Sequence, residues 1–139
     1  MAIEITIRID EEDEKITKLE QDDDRLYVSH YARFFDETSF AWDKNPELNL
    51  IFLRHTQEAA NEVLKRHGCL FLNDVYDMLG IPRTKAGQVV GWIYDEKNPM
   101  GDNYVDFDIY ASRNIEFVNG YERKALLDFN VDGVILDKI

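Results

Sequence analysis

The sequence predicts an α+β fold: one long helix and one short helix packed on an antiparallel sheet or meander from the C-terminal half, plus an N-terminal strand. Three observations predict it. Apolar residues recur at helical spacing between residues 45 and 80, β-favouring runs separated by Gly, Pro and Asn fill residues 88–139, and Ile3, Ile5, Ile7 and Ile9 alternate with polar residues. Helices grouped ahead of strands, and not alternating with them, argue for α+β. With 139 residues, 45% apolar, the chain is sized for a single domain, 1–139, around one core.

The elements follow in order. Residues 3–9 have the period of a strand with one face on a core, and residues 10–24 carry a run of charge that reads as a solvated turn, short helix or loop. Residues 25–35 are aromatic and β-branched, a second strand of irregular period. Asn45, Pro46 and Glu47 start a helix with a cap, a proline at the first helical position and an acid that suits the dipole. Leu48, Ile51, Phe52, Ala59 and Val63 form its apolar stripe, widened by Leu53, Ala60 and Leu64, and Lys65, Arg66, His67 and Gly68 end it. After an apolar link, Cys69 to Leu72, a helix of about two turns starts at Asn73 and Asp74 and stops at Gly80 and Pro82. Strands are predicted at 88–94, 104–110 and 125–129. Gly91 inside the first marks a bulge or a close backbone contact. Asn130 to Gly133 reads as a tight hairpin turn into residues 134–136, with Gly133 at a positive φ.

The formal charge of −12 sits at the two ends. Residues 1–24 hold 10 acids and 3 bases and residues 89–139 hold 10 and 5, while residues 25–88 balance at 8 and 8. Such a field repels nucleic acid phosphate and anionic lipid and attracts basic protein surfaces or divalent cations. No apolar run approaches the length of a membrane span and no secretory signal is present, so a soluble cytoplasmic protein is expected. Cys69 is the one cysteine, which excludes an internal disulfide and any zinc site with two thiolates. With only His30, His55 and His67 as histidines, a metal site would have to be built mainly from carboxylates. His55 reads as a packed or surface histidine, and Cys69, near His67 but beside Leu70 and Phe71, as a small buried residue and not a nucleophile. Neither a cofactor nor a metal site is expected.

Several constellations bear on chemistry. Asp128, Asn130, Asp132 and Gly133 match the opening of a calcium loop, but the twelfth position, where a bidentate Glu belongs, is Ile139. Gly87 and Gly91, with Arg83 and Lys85 before them, lack the spacing of a phosphate loop. Asp106 and Asp108 share one face of the predicted strand 104–110, and Glu122 and Lys124 are placed to lie on an adjacent strand. Metal-dependent nucleases hold magnesium and the attacking water with such a set, so a nuclease using Asp106, Asp108, Glu122 and Lys124 is the enzymatic alternative. The favoured site is a protein-binding face, in which Tyr104, Asp106, Asp108 and Tyr110 point one way, joined by Asp95 and Glu96, and Val105, Phe107 and Ile109 the other. A second, weaker surface is the helix edge bearing Gln57 and Asn61.

The run Leu72, Asn73, Asp74, Val75, Tyr76, Asp77, Met78, Leu79, Gly80, with Gly87 and then Gly91 and Trp92, resembles a segment of uncharacterised phage and prophage proteins of Gram-positive bacteria. The likeness covers roughly residues 60–139 and implies an origin, with no reaction or catalytic residue attached. Several proteins of that kind carry a membrane-spanning N-terminal region, where this chain has its acidic segment and isoleucine strand. The expectation is an acidic accessory or inhibitor protein that binds a basic protein partner and not nucleic acid. A virion or assembly component is the third class.

Overall fold

The computed structural model describes residues 28–139. The expected isoleucine strand at 3–9 and the acidic segment to residue 24 lie outside these described residues. Within them the architecture is α+β. Its elements are β1 (Arg33–Phe35), α1 (Pro46–His67), β2 (Cys69–Phe71), α2 (Leu72–Leu79), β3 (Val90–Ile93), α3 (Ile115–Val118), β4 (Ala125–Leu127) and β5 (Gly133–Val134), with 3-10 turns at Ala86–Gln88, Ser112–Asn114 and Leu136–Lys138.

Both ends of α1 form from local chemistry. Glu47 N donates to Asn45 Oδ1 at 2.9 Å, and Gly68, at φ 83°, donates its N–H to Leu64 O at 2.8 Å. The buried face is rotated from the stripe expected of the sequence. It runs Asn49, Leu53, Thr56, Ala60 and Leu64, while Leu48 and Ile51 remain 49% and 45% exposed. Two polar residues sit on the core side because their groups are satisfied close by: Thr56 Oγ1 donates to Phe52 O at 2.7 Å, and the Asn49 amide pairs with Asp43 N and O.

α2 begins at Leu72 with no capping side chain, so Asn73 and Asp74 are inside the helix and do not open it. It ends as expected at Gly80, φ 74°, where Gly80 N donates to Asp77 O and Ile81 N to Tyr76 O. A side chain at Gly80 would press on the Phe40 main chain, 2.9 Å from its nitrogen.

Among the described residues the strands form two small antiparallel sheets and no single meander. β1 pairs with β4, Phe34 opposite Leu126, and β3 lies between β2 and β5, with Leu70 opposite Trp92 and Gly91 opposite Gly133. Cys69–Phe71, expected as a link, is therefore a strand. The hairpin expected at Asn130–Gly133 does not form, since β4 and β5 belong to different sheets. Gly133 does take a positive φ, 129°. The polar groups of the crossing segment bind mainly distant partners: Asp128 accepts from Ser29 N and Oγ as well as from the adjacent Phe129 N, Asn130 from Trp92 Nε1, and Asp132 from Ile93 N. Gly91 is the close backbone contact anticipated, since a Cβ there would enter the shell of the Leu70 carbonyl oxygen.

The core joins both sheets to the helices. Trp92, Tyr76, Phe35, Phe107 and Phe117 are its largest buried side chains. Phe129 stands edge-on to both Tyr76 and Phe107 at centroid distances of 5.6 and 5.5 Å. Tyr76 donates its hydroxyl to Tyr31 O at 2.8 Å, and burial, opposed by the charge of Arg33, holds that phenol well above its ordinary pKa. Among the described residues, no helix is long and apolar enough to cross a membrane.

Candidate functional site

Residues 104–110 keep the alternation read from the sequence but are not a strand. Val105, Phe107 and Ile109 are buried, whereas Tyr104 and Tyr110 are 50% and 60% exposed and Asp106 and Asp108 lie between them at the surface. Among the described residues no strand pairs with this segment; side-chain amides take its place. Val105 N donates to Asn61 Oδ1 at 2.7 Å and Asn61 Nδ2 donates to Val105 O at 3.0 Å, while Phe107 N donates to Gln57 Oε1 at 2.7 Å. Asn130 Oδ1 accepts from Asp106 N and its Nδ2 donates to Tyr104 O, and Asp128 N donates to Phe107 O. The segment thus presents its polar side chains from a main chain already hydrogen bonded between Tyr104 O and Asp108 O, with Val105 and Phe107 held at both N–H and C=O.

The two surfaces separated in the sequence are one. Gln57 and Asn61 of α1 are the struts on which Tyr104, Asp106, Asp108 and Tyr110 are mounted. Asp106 and Asp108 form a ridge with a depression on each side, one of about 230 Å³ against Asp128, Phe129 and Asn130, the other of about 280 Å³ against Gln57, Ile109 and Tyr110. A larger open groove of about 740 Å³ runs between Tyr104 and α1 residues Glu58, Glu62 and Lys65.

Each carboxylate of the ridge also has a local task. Asp106 Oδ1 accepts from Asp108 N at 2.8 Å. Asp108, at φ 58°, pairs with Arg113 at 2.8 Å, whose guanidinium side chain is buried and also donates to Leu126 O. Asp95 caps the turn after it by accepting from Lys97 N and Asn98 N, and the Asn103 amide exchanges two bonds with the Asp95 main chain, which sets Asp95 beside the Tyr104 corner. Glu96 accepts from Tyr94 Oη at 3.0 Å, and that bond raises the Tyr94 pKa. Asp132, between β3 and the 101–102 turn, has its carboxyl raised by burial, with Asp102 adding to the effect and the bond from Ile93 N opposing it.

The strand pair that would carry Asp106, Asp108, Glu122 and Lys124 together is not formed. Neither 104–110 nor 122–124 is a strand, Lys124 Nζ sits 5.1 Å over the Phe34 ring, and Glu122 N turns back to Glu116 O. Among the described residues, no group of three His, Cys, Asp or Glu side chains is placed to hold a metal ion. His30, His55 and His67 are exposed, and Cys69 is partly buried opposite Ile93. Arg83 is engaged with Asp77 at 2.6 Å, which holds the Asp77 carboxyl below its ordinary value.

Sequence reasoning, which placed Asn61 on a surface and Asn73 at a helix start, missed how the asparagines pair with main chain. Asn49, Asn61, Asn73, Asn103 and Asn114 each exchange two hydrogen bonds with the main chain of one distant or neighbouring residue, namely Asp43, Val105, Thr84, Asp95 and Leu126. The local sequence carries little signal for this: of the five, only Asn49, between Leu48 and Leu50, is flanked on both sides by apolar residues.

Residues 2–139 match the model of a family described as a family of unknown function, DUF6353. The chain belongs to that family. No curated protein and no solved structure matches it. The family's function is unknown, and the Tyr104–Tyr110 face of this DUF6353 protein is defined by its geometry.

Proposed function

We propose that this chain is an acidic accessory or inhibitor protein of phage or prophage type that binds a basic protein partner through Tyr104, Asp106, Asp108 and Tyr110, with Asp95 and Glu96 at the border. It offers carboxylates where that partner meets nucleic acid. The observation that carries the reading is the mounting of two half-exposed tyrosines and two acids on a main chain pinned from both sides. Tyrosine supplies contact area at low entropic cost, and a pre-set main chain lowers the ordering cost of association. Acids steer a cationic partner. Because the main chain at Val105 and Phe107 is already hydrogen bonded on both N–H and C=O, recognition runs through side chains and not through addition of a strand. The sequence likeness around Leu72–Gly80 supports the phage setting.

The test compares the wild-type protein with a Tyr104→Ala, Tyr110→Ala, Asp106→Asn variant in capture from bacterial lysate at rising salt. A defined partner lost from the variant and released by moderate salt is the expected outcome. Equal capture by both proteins, or tight salt-sensitive binding of DNA or RNA by the purified protein, would overturn the reading. Incubation with DNA and RNA in magnesium is expected to leave both intact.

A further inference from the structure

We propose that Asn119 is a site of spontaneous deamidation, through which this protein acquires a further negative charge at the end of α3 as it ages. The chemistry needs two things: a free carboxamide on the asparagine, and a following main-chain N–H unhindered by a Cβ. Of the nine asparagines, Asn45 and Asn98 precede prolines, which have no N–H to attack with. Six others have their amides committed: Asn49, Asn61, Asn73, Asn103 and Asn114 to main-chain pairs, and Asn130 to Trp92, Asp106, Tyr104 and Asp102. Asn119 is exposed, its carboxamide has no hydrogen-bond partner among the described residues, and Gly120 follows it.

The reaction is balanced by water alone. Gly120 N gives up its proton and bonds to Asn119 Cγ, the bond from Cγ to Nδ2 breaks and the amide nitrogen leaves as ammonia after taking up a proton, giving a five-membered imide. Water then opens either imide carbonyl to aspartate or to isoaspartate. Gly120 N is held by Phe117 O at 3.1 Å and must first be released. α3 has only four residues, and so short a helix frays readily. The product charge lies at a helix C-terminus, where the dipole disfavours it. Isoaspartate also adds a backbone carbon ahead of Tyr121 and Glu122, whose N–H groups close the turn on Glu116 O at 2.8 and 3.1 Å.

The experiment is peptide mapping of the full folded protein after prolonged incubation at neutral and mildly alkaline pH, with a parallel sample in denaturant and an Asn119→Gln control. Aspartate and isoaspartate at position 119, formed in the folded sample while the other asparagines stay intact and faster at alkaline pH, are expected. Conversion of Asn119 only in denaturant, or prior conversion of any other asparagine in the folded protein, would overturn the proposal.

Discussion

The amide group of the Asn61 side chain and the main chain of Val105 exchange two hydrogen bonds, at 2.7 and 3.0 Å, in the manner of a neighbouring strand. An asparagine offers one acceptor and two donors on a short stem, which matches the N–H and C=O of one extended residue. The same pairing closes the Asp43, Thr84, Asp95 and Leu126 main chains. Short strands and long connections are thereby held without long ladders.

Asn61→Asp keeps the acceptor for Val105 N and removes the donor to Val105 O, placing a charge against that oxygen. A loss of about 1–3 kcal/mol is expected, the range for a partly buried group left without its partner. Urea unfolding checks it through a lower midpoint at unchanged slope, and an unchanged midpoint would show that the pair does not hold the segment.

What was legible in the sequence was local. Asn45, Pro46 and Gly68 bound α1 because caps act within a few residues, and the 104–110 alternation survives as a burial pattern because it records which side faces the core. The pairing of β5 with β3, and the mounting of 104–110 on Gln57 and Asn61, depend on contacts between residues far apart in the sequence. No periodicity encodes those. The rotation of α1 went unread for a related reason: Asn49 and Thr56 look polar, and only their satisfied hydrogen bonds make them fit for the core side.

Gly91→Ala tests the contact between β3 and β2. The added methyl would overlap the Leu70 carbonyl oxygen and lie 2.8 Å from Phe71 Cα, both main-chain atoms that yield little. Overpacking of this kind costs about 1–3 kcal/mol. Thermal unfolding of the variant is expected to start clearly earlier, and an unshifted transition would mean that the sheet opens freely at this point.

Tyr76 sets a limit on the alkaline side. Burial raises its pKa above the ordinary phenol value of 10.0, so above that pH the native state keeps a proton that the unfolded state has released. Stability is therefore constant below this value and falls as pH rises beyond it. Tyr76→Phe removes the slope while costing about 0.5–1.5 kcal/mol at neutral pH through the lost bond to Tyr31 O. Denaturant midpoints measured across the alkaline range decide it; parallel curves for the two proteins would assign the slope to other groups.

Asp108 joins two demands at one residue: a left-handed main chain at φ 58° and the carboxylate opposite the buried Arg113 guanidinium. Asn tolerates that conformation and retains a neutral acceptor, whereas Ala loses both advantages. Asp108→Ala is expected to destabilise by about 1.5–3 kcal/mol, the range for a hydrogen bond to a charged group, with Asp108→Asn falling well short of it. Adding Arg113→Met to Asp108→Ala removes the stranded charge and is expected to recover part of the loss. If the alanine and asparagine variants unfold at the same denaturant concentration, neither the φ value nor the acceptor matters at this position, and the ridge beside Tyr110 is held in some other way.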